Sequence, residues 1–367
     1  MNILYFSPIP YSSLMQRPQH LAQEFAKEHS VYFVEPTESG LLRFKKSKKE
    51  ISIIDIDQNL KVIQLSGKLT TYRFVEIIDI FNLNVKSEKR QLRDLIQIID
   101  LILVGHPWCY NLIKDYNIVT IYDKMDDHIN INKNILYKLY FLIYEKKLIN
   151  KVEAVLVTCT QFYDRIKKYR NNVYLINNAT AIGTLNREYP NVIIEDLDKN
   201  LNNKKIFGYI GTIDYWFDFN VIEIILKHSS DNIILLIGDN KVKRYDHPNV
   251  LYLGVKKKEL LPHYIRKFDC CLYPFKKNKL LETINPVKIY EYLAMNKPVI
   301  AVKSNETKIF SDYVKLYDDY QSLVGILNCE LVEPFNKAQN RDFINKNTWE
   351  SRYKDICNIL QELFRRL

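Results

Sequence analysis

Short apolar runs rich in Ile, Val and Leu recur along the whole chain, each closed by a Gly, Pro or polar turn and most followed by a stretch of helical periodicity. In the first half they are Ile3 to Phe6, Val31 to Val34, Leu60 to Leu65, Leu101 to Val104, Val119 to Tyr122, Ala154 to Cys159 and Val173 to Ile176. In the second they are Ile206 to Ile210, Ile233 to Ile237, Asn249 to Gly254, Cys270 to Phe275 and Val299 to Val302. Runs without polar alternation suit strands buried on both faces, and such strands are joined by crossover helices. The rhythm predicts an α/β chain with two parallel-sheet domains facing each other. At 367 residues the chain is long for one core and comfortable for two.

The most informative stretch is Asn285 to Val302, read as one helix feeding one buried strand. Asn285 suits the cap and Pro286 the first helical position, where a missing N–H costs nothing. Asn296 can take the left-handed conformation and Pro298 cannot continue a helix, so the helix is expected to end near Met295. Lys288, Ile289 and Glu291 then lie within one turn, with Lys288 and Glu291 three apart on one face. A carboxylate there can accept two ribose hydroxyls, while Lys288 and the N–H groups near Pro286 suit a phosphate. A surface Lys-Glu pair on an ordinary helix is the simpler account of the same residues.

Several strand ends carry polar groups, and in open α/β sheets that is where ligands bind. Arg17, Pro18 and His20 follow the first strand at a predicted helix start; a cap with a partly exposed His is the plainer reading. The strand-loop-helix unit lacks the G-x-G-x-x-G dinucleotide fingerprint. His106 follows the strand at Leu101 and either faces a cleft or is a turn histidine. Asp123, Asp126 and Asp127 crowd just past another strand with His128, and unpaired charges of that kind cannot be core. They are paired, solvated or functional, and a divalent metal is the less favoured use. Gly211 and Thr212 form a glycine turn after Ile206 to Ile210, and Gly238 and Pro274 close the strands after it.

These residues carry a resemblance. N-P-V-K-I-Y-E-Y-L-A-M-N-K-P-V-I-A-V resembles the C-terminal signature of GT4-like glycosyltransferases of the GT-B fold. The order N-V-x-x-L-G, helix, F-D-C-C-L-Y-P-F is similar to that family over about sixty residues. R-P-Q-H-L-A and Y-D-x-x-D-D are similar to a subset that builds bacterial surface polysaccharides of the teichuronic-acid type. The resemblance implies two Rossmann-like domains facing a central cleft: residues 1 to 182 for the acceptor, a linker at 183 to 205, residues 206 to 346 for the donor, and a C-terminal helix at 347 to 367 crossing back. It implies transfer of a sugar from a nucleotide-diphosphate sugar to a glycan or lipid-linked glycan, with retention, without a metal and without a resident cofactor.

On that basis Gly211, Thr212, Gly238, Pro274, Asn285, Pro286, Lys288, Ile289 and Glu291 are expected at the donor. Arg17, His20, Asp126 and Asp127 are expected at the reacting centre, and His106 and Asp123 at the acceptor. The chain departs from the family where Thr283 replaces an upstream acid, and where Ile213-Asp214 stands in place of the Arg and Lys that neutralise a diphosphate. Lys288, Lys276 or Lys277 would have to substitute. A GT-B sugar-nucleotide 2-epimerase and a catalytically degenerate scaffold are the competing readings.

Charge adds little. The net +10 divides into +6 for residues 1 to 180 and +4 for the rest, and charge spread in this way does not point to nucleic acid. The basic loop Arg43 to Lys49 is either solvated or in peripheral contact with the inner face of a membrane. Six cysteines without C-x-x-C spacing, and no secretory or spanning segment, lead to the expectation of a cytoplasmic protein, soluble or peripheral. The helix from Ile135 to Asn150, with Leu136, Leu139, Tyr140 and Ile143 at helical spacing, is expected to pack on the core, with a membrane-facing helix as the alternative.

Overall fold

The computed structural model describes residues 1–13, 15–37, 51–66, 83–131, 134–180, 204–329 and 337–366. The basic loop Arg43 to Lys49 and most of the expected linker lie outside the described residues. The chain divides into two compact units, Met1–Asn177 with Arg352–Leu367, and Asn178–Ser351.

In the first unit the described strands are β1 (Asn2–Phe6), β2 (Ser30–Val34), β3 (Ser52–Asp57), β4 (Leu60–Gln64), β5 (Leu101–Val104), β6 (Val119–Lys124), β7 (Ala154–Val157) and β8 (Val173–Leu175). They form one sheet in the order β3-β4-β2-β1-β5-β6-β7-β8, parallel except for the β3–β4 pair. β5 and β7 are buried at every residue, as expected of strands covered on both faces. The final helix, Trp349–Arg366, begins with Thr348 Oγ1 accepting the Ser351 N–H at 3.1 Å, and its Tyr353 packs edge-on against Phe25.

In the second unit β9 (Lys205–Ile210), β10 (Asn232–Ile237), β11 (Val250–Gly254), β12 (Cys270–Tyr273), β13 (Val299–Val302) and β14 (Lys315–Tyr317) form an all-parallel sheet, ordered β11-β10-β9-β12-β13-β14. A Cβ on Gly208 would lie 2.2 Å from the Phe268 ring, so the bare backbone of β9 is what lets that ring close over the sheet. In each sheet the strand order reverses beside the first strand, between β1 and β5 and between β9 and β12. Crevices for ligands open at the carboxyl ends of strands at such points.

Two strands were not anticipated. β3 is an edge strand with Ile53, Ile54 and Ile56 all exposed, so neither face carried a burial pattern to read. β14 is only three residues long.

Candidate functional site

The first group of polar residues sits at the carboxyl end of β6. Side chains alternate across a strand, so Tyr122 and Lys124 point to one face and Asp123 to the other. Each face holds a buried ion pair. Asp123 receives Arg17 Nε at 3.0 and 2.9 Å and Nη2 at 2.9 Å, and also the Tyr5 hydroxyl at 3.3 Å. Arg17 Nη1 donates to the carbonyls of Ile176 and Asn177 at 2.9 and 3.2 Å. On the opposite face Lys124, fully buried, pairs with Glu145, donates to the Asp126 carbonyl at 3.1 Å and lies 4.3 Å from the centre of the Phe162 ring. The Tyr122 hydroxyl donates to Glu145 at 2.9 Å.

Arg17 and Asp123 thus spend most of their hydrogen-bonding capacity on each other and on backbone, joining the Arg17–Ala26 helix to β6 and to the end of β8. Asp127 is similarly occupied. It is buried and caps the short helix His128–Ile131, its Oδ1 accepting the Asn130 N–H at 3.2 Å and its Oδ2 the Asn130 side chain at 2.6 Å. Asp126 keeps an exposed surface. The packed protein around it pushes its carboxyl above the ordinary range, with Asp127 and Asp123 adding to the rise and Lys124 opposing it.

His106 caps the turn after β5, its Nδ1 accepting the Trp108 N–H at 3.3 Å. Its ring meets His128 at 4.4 Å and Phe141 at 5.4 Å, and His128 stacks on Phe141 at 5.3 Å. Burial depresses both imidazoles, His106 well below its usual value with His128 contributing, and His128 to about 3 with Lys124 contributing. Both are therefore neutral near pH 7 and suited to hydrogen bonding rather than to carrying charge. His20 is half-buried in the first turn of the Arg17–Ala26 helix. Among the described residues no group of three or more His, Cys, Asp or Glu is arranged to hold a metal ion.

The second group lies in the other unit, around the helix Val287–Ala294. Asn285 is not its cap: Pro286 takes that position and the helix starts one residue later than expected. The Asn285 side chain is committed elsewhere. Its Oδ1 accepts the Asn178 N–H at 2.9 Å, its Nδ2 donates to buried Glu306 at 3.2 Å, and its carbonyl accepts the Asn178 side chain at 3.0 Å. The helix ends as anticipated, with Asn296 at φ +54°.

Lys288 and Glu291 form an ion pair at 3.0 Å with both side chains partly exposed, whereas Ile289 between them is buried in the core. Lys258 lies in their field: burial lowers its ammonium, Lys288 adds to the fall and Glu291 opposes it. Gly211 and Gly238, at the ends of β9 and β10, are packed together, since a Cβ on Gly238 would stand 2.1 Å from the Gly211 carbonyl oxygen. Gly211 leaves room for the Tyr209 hydroxyl, which donates to the carbonyl of partly exposed Thr212 at 3.0 Å. Pro274 is buried and its carbonyl accepts the Asp218 N–H at 2.8 Å. Ile213, where a basic residue was looked for, is buried. Lys276 is exposed, and Lys277 is paired with Asp318.

The sequence therefore located the strand ends but missed Lys124, Glu145 and Lys258. Glu145 was detectable: it falls on the Phe141, Leu148 and Ile149 face of its helix, and an acid on such a face requires a buried partner.

No family model matches the chain. A protein of Bacillus subtilis (strain 168), provisionally named as the teichuronic acid biosynthesis glycosyltransferase TuaH, is 23% identical over 234 residues. The match takes in 58% of this chain and spans 57% of that relative's length. Solved structures match along nearly the whole chain. The sucrose-phosphate synthase of Thermosynechococcus elongatus has a TM-score of 0.72 at 14% identity, with 100% of each chain covered. The UDP-forming α,α-trehalose-phosphate synthase of Burkholderia xenovorans in complex with glucose-6-phosphate has a TM-score of 0.69 at 11% identity, over 98% of this chain and 99% of that one. The Escherichia coli trehalose-6-phosphate protein bound with UDP-2-fluoro glucose gives 0.72 at 12%, over 99% of each. Across its length this chain has the GT-B fold of glycosyltransferases.

Proposed function

We propose that the protein is a glycosyltransferase that moves a sugar from a nucleotide-diphosphate sugar to a glycan or lipid-linked glycan of a bacterial surface polysaccharide. The observation that carries this is the Lys288–Glu291 pair on the first turns of Val287–Ala294, in a chain that matches sugar synthases from end to end. Glu291 accepts the ribose hydroxyls. Lys288, with Lys258 beside it, supplies the positive charge that Ile213 and Asp214 do not. The N–H groups at the start of the same helix complete the cradle for the diphosphate, with Gly211 and Thr212 along its side.

In the reaction the bond from the anomeric carbon to the phosphate oxygen breaks, an acceptor hydroxyl oxygen bonds to that carbon, and the hydroxyl proton is released. Stabilising the departing diphosphate is the largest task, because charge accumulates there. Retention, in which the leaving phosphate helps take the proton, needs no metal. Inversion would place a base in the first unit, and Asp126 is suited to it by exposure and by a raised carboxyl. His20 and His106 would line the acceptor side. Arg17, Asp123 and Asp127 are assigned to positioning, since their partners are already in place.

The missing Arg/Lys pair favours a second reading, a scaffold of the same fold without turnover. A panel of nucleotide sugars, read first by thermal shift and then by release of nucleoside diphosphate with and without acceptor, separates the two. One donor should raise the melting temperature and release its diphosphate only with an acceptor. Binding to none of them would leave the scaffold, and conversion without any acceptor would favour an epimerase.

A further inference from the structure

The helix Ile135–Lys151 does not bury the residues its spacing assigned to the core. Phe141, Glu145, Leu148 and Ile149 face inward, whereas Ile135, Leu136, Leu139, Leu142 and Ile143 are 49% to 65% exposed. At 100° per residue these five aliphatic side chains fall on one stripe about 120° wide and about 12 Å long, its centre turned about 130° from that of the buried face and one edge, at Leu142, adjoining it. Five large exposed apolar residues in one stripe mark a contact surface.

The charges around the stripe identify what it fits. The helix carries Lys138, Lys146, Lys147 and Lys151, and its one acid, Glu145, is buried and neutralised by Lys124. Lys146 and Lys147 are exposed and follow the stripe within a turn of its last residue. Tyr140 and Tyr144, stacked at 4.4 Å, flank it, with the Lys147 ammonium 5.1 Å from the Tyr144 ring centre. Along the helix axis, aliphatic side chains followed by exposed lysines, with the tyrosines bordering the stripe on one side, match the layers of a bilayer surface: acyl chains, interface and phosphate headgroups.

We infer that the N-terminal half of this helix docks the first unit on an anionic lipid surface, the aliphatic stripe entering the interface and Lys146 and Lys147 meeting headgroup phosphates. Phe141, on the inward face of the same helix, packs against His106 and His128. Docking would therefore bring the acceptor-side group close to the membrane, where a lipid-linked acceptor resides. That last step rests on the function proposed above; docking itself does not.

The test is cosedimentation of the full chain with vesicles, without donor or acceptor. The protein should pellet with phosphatidylglycerol vesicles and much less with phosphatidylcholine ones. Leu139→Glu with Ile143→Glu should weaken pelleting at least tenfold. Lys146→Glu with Lys147→Glu should weaken it on the anionic vesicles by about fivefold or more per lysine and reduce its sensitivity to salt. All four positions are exposed, so circular dichroism and melting temperature should not change. Vesicle binding that is absent, or equal in the parent and the Leu139/Ile143 variant, overturns the inference. So does a dimer in sedimentation equilibrium that this variant dissolves, because a second copy would then be the occupant. None of these results depends on turnover, so failure here is distinct from failure of the glycosyltransferase reading.

Discussion

Arg17 grips both oxygens of the Asp123 carboxylate, with Nε 3.0 Å from Oδ1 and 2.9 Å from Oδ2, and both side chains are almost wholly out of solvent. A pair so placed contributes through the cost of separating it, because either charge left alone in the interior has nothing to replace its partner. Asp123→Asn is expected to destabilise the protein by about 3–5 kcal/mol in urea unfolding. Arg17→Met combined with Asp123→Leu should cost less than Asp123→Asn alone. Turnover lost with stability intact would instead make Arg17 a group that touches substrate.

That pair marks how far the sequence could be read. Parallel strands buried on both faces are legible because they are short, apolar and bounded by turns, and nearly all of them stand where the pattern put them. Asn296 was readable because few residues accept its backbone conformation. Pairing across the sheet was not readable: nothing local says that Asp123 turns toward Arg17 while its neighbour Lys124 turns toward Glu145. The same limit misassigned Asn285, whose side chain is held by Asn178 and Glu306, far from it in sequence. The Ile135–Lys151 helix misled for the opposite reason. Its periodicity was genuine, but apolar spacing does not say whether the stripe meets protein or something else.

Gly238 is required for space as well as for its backbone angle of φ +141°. Gly238→Ala should destabilise by at least about 3 kcal/mol, since backbone strain and the clash with Gly211 add. Gly254→Ala, at φ +67° with nothing near the added carbon, should cost only about 1–2 kcal/mol. Denaturation midpoints of the two variants check the contrast, and equal losses would contradict it.

The half-buried imidazoles of His106 and His128 set an acid limit. His128 titrates near 3 when folded, below its ordinary value of 6.5, so between those values the unfolded chain binds more protons and stability falls as pH falls. His106 acts in the same direction. Each contributes a slope of at most about 1.4 kcal/mol per pH unit. His128→Gln should flatten the decline between pH 6.5 and pH 4.5 in urea unfolding. An unchanged slope would mean that His128 is solvated.

Asp126 carries the opposite sign. Its folded carboxyl titrates above the unfolded one, so its ionised form costs stability once pH passes the unfolded value, and the full cost remains at neutral pH. Asp126→Asn should therefore leave stability at pH 7 equal or slightly higher. If Asp126 serves the acceptor as a base, the same change should lower turnover by about 100-fold or more. Loss of stability together with turnover would assign Asp126 to the fold alone.

In the proposed function the helix Val287–Ala294 holds the nucleotide of an activated sugar through Glu291 and Lys288. Calorimetric titration of the stabilising nucleotide sugar into the parent chain and into Glu291→Ala tests it most directly. Both side chains are partly exposed, so the variant should fold normally. Affinity should fall at least tenfold in Glu291→Ala while the melting temperature without ligand stays the same. Equal affinity in the two proteins would contradict it.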